Sequence, residues 1–323
     1  MIEKRHPALQ SLFDAIDRAG PFASERDLQR FVDRHMREYN TRPQADLGGL
    51  SPDAMSQLLY GDWAATGALR LADDLAEEDV AGAPVFADAR TLLAYVRDKG
   101  PLKETAARNL TRADVAALLP RLRIPARNSL DETFGPPVPV KNEGDVSWLP
   151  AVRHTLLFAG LLVRRKGLRL SARGRELLAP ERSGELYALL FRTLFRKLDL
   201  RVFDLTDRHP GLQSTVAFSF YKLLTVAQDW TSQEALADVA WLADAKDPPT
   251  EFEATYEDFR HWSFRHRVLE PLVQFGLLEK RELPTEEQWR TRTEMRLAPL
   301  FARFMRFDFG ATERRHSGAG RRP

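Results

Sequence analysis

With 323 residues, 43% of them apolar and 29% charged, the chain has the composition of a globular protein long enough for two or three cores. It contains no cysteine, which excludes disulfides, thiolate metal sites and a cysteine nucleophile. A net charge of +2 hides an uneven distribution: residues 1–84 carry 9 Lys and Arg against 15 Asp and Glu, residues 85–180 carry 17 against 9, and residues 181–323 carry 22 against 22. The opening MIEKRHPALQ has no apolar run behind its charges, and the run Leu156–Val163 is far short of the ~18 residues that a membrane span needs. A cytoplasmic protein without membrane contact is expected.

Helical spacing of Leu9, Leu12, Phe13 and Ile16 predicts a helix over 7–19, ended by Gly20-Pro21. Ser24 is placed to cap a second helix over 25–39, and Ser51-Pro52 to open a third. The acidic stretch 73–79 with Ala81-Gly82-Ala83-Pro84 reads as a linker. A helix over 86–98 stops at Gly100-Pro101, Leu102-Lys103 can form a very short strand, and Thr111 caps a helix to Leu119. Residues 120–146, rich in Pro, Asn and Gly, read as a long loop, either an insertion or a contact surface. Asp145 or Ser147 would cap the next helix, whose Leu149, Val152, Leu156 and Leu157 share one face.

Around Gly160 the pattern changes. A strand over 161–163, the basic turn Arg164-Arg165-Lys166-Gly167, a strand over 168–170 and a helix capped by Ser171 give the order helix, hairpin, helix. That order is the one found in a winged-helix domain. Helices follow over 184–198, 212–228 and, capped by Thr231 or Ser232, to Ala243; residues 246–249 break the pattern. Residues 252–275 read as helical with a bend near Pro271. The sequence LFAGLL at 157–162 returns as VQFGLL at 273–278, again followed by two strands and a helix. The expected fold class is therefore mainly α with small β-hairpins, as tandem winged-helix-like units behind a helical N-terminal segment. The expected domains are an acidic helical segment 1–84, a basic winged-helix-like unit 85–180, a helical segment with a second such unit 181–310, and a disordered basic tail 311–323.

The stretches GPLKETAARNL (100–110), NEGD (142–145) and AGLLVRRKGLRLSARGRELL (159–178) resemble a widespread group of bacterial proteins, also seen attached to plasmid ORF-3-like and SEC-C-type proteins. GGLSPDAMSQLLYGDW (48–63) resembles that group's amino-terminal signature, so the resemblance covers much of residues 40–230. It departs at Glu104 and Arg108, where an apolar residue and a glycine would be expected. The group has no established activity or catalytic residues to carry over, so the resemblance bears on fold alone.

Function is read from charge. Arg164, Arg165, Lys166, Arg169, Arg173 and Arg175 could neutralise several phosphates, and the preceding helix would present Ser147, Ala151, Arg153, His154 and Thr155 to a nucleic-acid groove. Arg153 and His154 are its candidate contacts. That helix lacks the Arg, Asn and Gln density that reads base edges, so binding mainly through phosphates is expected, to DNA ahead of RNA. The alternative partner is a protein, held by the wings and the 120–146 loop of an interaction scaffold. No nucleotide-binding or hydrolase motif occurs, and no cofactor is expected. His261 and His266 fall about 140° apart on a helix, which disfavours a metal site. Asp199, Asp204 and Asp207 with His209 form a hydrolytic cluster only on paper, because carboxylates need convergence in space. A non-enzymatic protein is favoured. The aromatics Phe191, Phe195, Phe218, Phe220, Tyr221, Trp241, Trp262 and Phe264 are assigned to the core.

Overall fold

Apolar residues at helical spacing become helices along most of the chain, with only short strand pairs between them. The structure, a computed structural model, describes residues 7–64, 67–123, 140–146, 148–206, 208–242, 253–284 and 291–309. Most of the expected 120–146 loop, the cap candidate Ser147, Asp207, the break at 246–249, Phe252 and the basic tail lie outside the described residues. By packing the chain divides into two units, residues 1–69 with 307–323, and residues 70–306. Among the described residues no helix is long and apolar enough to cross a membrane.

The first unit holds α1 (Pro7–Ala19), α2 (Glu25–Thr41) and α3 (Pro52–Tyr60). Ser24 and Ser51 act as the expected caps, accepting from the N–H groups of Asp27 and Ala54, and Pro52 sits in a first turn where its missing N–H costs nothing.

The chain passes from the first unit to the second within β1 (Leu69–Leu71), which pairs with β7 (Met305–Phe307), and the second unit goes on to α4 (Glu77–Val80). The expected linker is packed instead. Val80 and Ala83 are 0% and 2% exposed. A Cβ on Gly184 would collide with backbone atoms of Asp73 and Leu75, so only glycine permits this approach. Gly184 lies in the first turn of α9 (Ser183–Lys197), which is buried along most of its length and is the axis of the unit. Tyr187, Phe191 and Phe195 on it meet Phe220, Phe275 and Phe304 at ring distances of 4.7–6.4 Å, and all six are fully buried. Trp262 alone of the assigned core aromatics stands out, 48% exposed.

The repeat is visible in matching detail. Its first copy runs α5 (Pro84–Lys99), a bridge at Leu102, α6 (Arg112–Leu118), α7 (Leu149–Phe158), β2 (Leu162–Arg164), β3 (Leu168–Leu170) and α8 (Ala172–Glu176). The second runs α10 (Leu212–Val226), β4 (Thr231–Ser232), α11 (Gln233–Ala240), α12 (Glu253–Phe264) continued by α13 (Glu270–Gln274), β5 (Leu278–Pro284), β6 (Thr291–Leu297) and α14 (Pro299–Phe304). In both, the first short strand pairs with the last: Leu102 with Leu168, and β4 with β6. Both hairpins are antiparallel, with Leu162 opposite Leu170 and Leu278 opposite Leu297. Both long helices end in the same cap. Gly160 and Gly276 take φ +72° and +68°, and the N–H groups of Leu161 and Leu277 reach back five residues to Leu156 and Leu272, each at 2.9 Å.

Two local expectations change, and one open alternative is decided. Asp145 does not cap α7; its carboxylate accepts from the N–H groups of Lys141 and Asn142, both at 2.8 Å, which holds its pKa below the usual range. Ser232, not Thr231, caps α11. The bend expected near Pro271 is a π turn over Arg265–Leu269, with Glu270 N–H donating to Arg265 O.

Candidate functional site

The helix expected to enter a groove keeps only a narrow part-exposed edge, made by Pro150, His154, Leu157 and Phe158. On α7, Ala151, Val152, Arg153, Thr155 and Leu156 are all at most 5% exposed, because α5 packs on one side and α9 on the other. A free outward face was expected because helical spacing within α7 does not register α9, which follows the hairpin. His154 is half-buried, and burial followed by the neighbouring Arg153 charge lowers its pKa. Phe158, at the end of the helix, is 51% exposed.

Arg153 and Arg164 both pair with carboxylates of the fold, Arg153 buried and Arg164 exposed. Arg153 is 1% exposed, and its Nε donates to Glu143 Oε1 at 2.6 Å. Glu143, itself 1% exposed, also accepts from Leu110 N–H at 2.6 Å. Glu104 stands 3.4 Å from Arg153 and 3.1 Å from Arg164. Glu104 thus replaces the expected apolar residue with the carboxylate that ties the hairpin to α7. Arg108, at the expected glycine, takes φ +59°, the backbone region for which glycine is the default. The stretches that carry the resemblance are therefore mostly structural: they build the turn, the bridge and the ion pairs at the base of the hairpin.

The other cations converge. Strand alternation puts Arg164 on one side of the hairpin and Val163 and Arg165 on the other. There a shallow groove of 820 Å³ is lined by Arg165, Lys166, Arg169 and Arg175, and by Arg97 from the last turn of α5. Arg173 is exposed but does not line it. Arg169 Nε donates to Arg165 O at 2.8 Å and Arg175 Nη1 to Leu170 O at 3.3 Å. Both guanidinium groups are thereby oriented while keeping N–H groups to spare. No carboxylate lines the groove, and among the described residues none pairs with these four hairpin and α8 cations. Arg97, which pairs with Asp98 at 2.8 Å, was not expected there. The signal for it was the short strand at Leu102, since pairing that strand with the hairpin brings the end of α5 alongside.

The second hairpin is differently charged. Arg281 and Arg292 pair with Glu294, Arg296 with Glu279, and Lys280 with Glu270 and Glu282. Arg281 and Arg296 also stack on either side of Trp230, at 4.4 and 4.6 Å from its ring centre. These described cations are engaged within the fold. The paper hydrolytic cluster does not assemble: Asp204 is held by Arg267, Asp199 by Arg201, and His209 is buried against Trp241. His261 faces Asp238 at 2.9 Å while His266 packs on Trp262 with ring centres 4.1 Å apart.

Burial, with the Arg265 charge beside it, pushes the His266 pKa down to about 4. As pH falls from 6.5 to 4 the unfolded chain takes up a proton that the folded one refuses. Stability present at neutral pH is lost over that window, by up to ~3 kcal/mol. Urea unfolding at pH 7 and pH 4.5 should show a smaller acid loss in His266→Gln than in the wild type; equal losses would refute the assignment.

Residues 81–184, from the end of α4 to the start of α9, match the family model of the Y4jL N-terminal domain. The matched span holds the hairpin, the groove and the ion pairs beneath it, and leaves out the 48–63 stretch and the second repeat. No curated protein and no solved structure matches the chain. The groove thus lies wholly in a segment of about a third of the chain that is similar to the Y4jL N-terminal domain.

Proposed function

We propose that the protein binds nucleic acid without sequence reading, gripping phosphates with a winged-helix-like unit at residues 85–180. The observation that carries this is the groove with five cations, no carboxylate in its lining, and two arginines already oriented by backbone carbonyls. The hairpin serves as the wing, and the burial of Arg153 and Thr155 leaves α7 without the polar face through which such a unit would read base edges. Arg165, Lys166, Arg169 and Arg175, with Arg97, are the contacts; Arg153 and Arg164 support the wing from inside.

Four or five phosphate contacts should make affinity fall roughly a hundredfold between about 50 and 200 mM salt. Fluorescence anisotropy of labelled oligonucleotides should show this slope in the wild type. In Arg165→Ala/Lys166→Ala/Arg169→Ala the log–log slope should shrink by about 2–3. Absence of binding at the lower salt would end the proposal. The second reading, a protein-interaction scaffold, is favoured by the covered α7 and the exposed Phe158 at its end, and salt-tolerant capture of a protein partner would support it.

A further inference from the structure

We propose that the occupant of the groove between the end of α5, the β2–β3 hairpin and the start of α8 is a single strand of nucleic acid, not a duplex. This rests on the phosphate-binding reading above and names its substrate class. A duplex is normally engaged by a helix placed in its ~12 Å major groove. In the 85–180 unit that role falls to α7, whose Arg153 and Thr155 are buried and whose part-exposed edge, Pro150, His154, Leu157 and Phe158, carries no Arg, Asn or Gln to read base edges. What remains exposed is concave. The groove of 820 Å³, open to solvent, falls in the ~300–1,000 Å³ range of sites for compact ligands and has room for a few nucleotides.

The lining is divided in the way a single strand requires. Pro101, Val163 and Ala172, none of them buried, supply an apolar floor on which sugars and bases can lie, and the five cations stand around it where a flexible backbone can turn its phosphates toward them. No aromatic residue lines the groove, so stacking falls to guanidinium planes. Arg169 and Arg175 are suited to it, because each is anchored through one N–H to a carbonyl of its own chain, at 2.8 and 3.3 Å. Stacking on arginine discriminates weakly between bases, so little sequence preference follows. Among the described residues of the second hairpin the arginines are paired instead, Arg281 and Arg292 with Glu294 and Arg296 with Glu279.

The test uses the full chain, with a labelled 20-nucleotide oligothymidylate and a mixed-sequence 20-base-pair duplex compared by anisotropy at one low salt. The single strand should bind roughly tenfold tighter or better. Arg97→Ala should weaken it about threefold to tenfold while leaving the melting temperature unchanged. Equal or tighter duplex binding would overturn the inference and leave the phosphate-binding reading standing. Binding of neither would overturn both. Displacement of the oligothymidylate by poly-glutamate at equal charge concentration would overturn the nucleic-acid assignment in favour of an acidic peptide.

Discussion

Replacing Arg267 by alanine is expected to cost ~3–5 kcal/mol of unfolding free energy, enough to leave much of the second unit unfolded at moderate urea. Arg267 and Asp204 have side chains 2% and 0% exposed. The guanidinium meets the carboxylate with two parallel bonds, Nε to Oδ2 at 2.7 Å and Nη2 to Oδ1 at 2.9 Å. It donates further to Thr206 O at 2.7 Å and His209 O at 3.1 Å. Truncation strands a carboxylate and two carbonyl oxygens away from water, which is where the cost arises. Lysine cannot repair it, since one ammonium cannot span two carboxylate oxygens and two carbonyls in this planar arrangement. Urea denaturation should therefore rank the wild type well above Arg267→Lys, and Arg267→Lys above Arg267→Ala. A loss below about 1 kcal/mol for alanine would mean that water reaches Asp204 and the pair is not sealed.

The same pair shows what is legible from residues alone and what is not. Asp204 and His209 are close in sequence and invite a catalytic reading. Their actual partners, Arg267 and Trp241, lie tens of residues away, and no local pattern connects them. Local chemistry was legible where it decides the outcome: Ser24, Ser51, Thr111 and Ser171 each cap the helix they precede, Gly160 ends its helix, and the hairpin turns at Gly167. The repeat was legible because both copies need a helix-ending glycine followed by Leu-Leu. The linker at 73–84 was misread because acidic and small residues look solvated, and only the absence of a side chain at Gly184 lets α9 close on them. The basic residues were legible as a run along the chain, but the side of the hairpin that each takes was not. Strand alternation sends Arg165 to the groove and Arg164 to Glu104, and that division depends on a residue sixty positions earlier.

Arg153 decides whether that division is right, because the two assignments predict opposite behaviour. As a phosphate contact on an open helix face, Arg153→Ala would lower affinity and the salt slope while leaving stability within about 0.5 kcal/mol of the wild type. As the partner of Glu143, which is 0% exposed in its side chain, it is expected to cost ~3–5 kcal/mol of stability. The Glu143 carboxylate would keep its bond from Leu110 N–H but lose the cation 2.6 Å away. Glu104 would be left with Arg164 alone, itself 36% exposed and held at 3.1 Å. The hairpin should then loosen before the rest of the unit, since Glu104 links it to α7. Urea unfolding and anisotropy on the same preparations separate the cases. Arg153→Ala should move the unfolding midpoint and, while folded, retain the wild-type salt slope. Arg165→Ala should leave the midpoint in place and reduce the slope by about one contact. If Arg153→Ala instead reduced the slope with an unchanged midpoint, α7 would have to be exposed to the ligand, and the burial that directs binding to the α5–hairpin groove would be wrong.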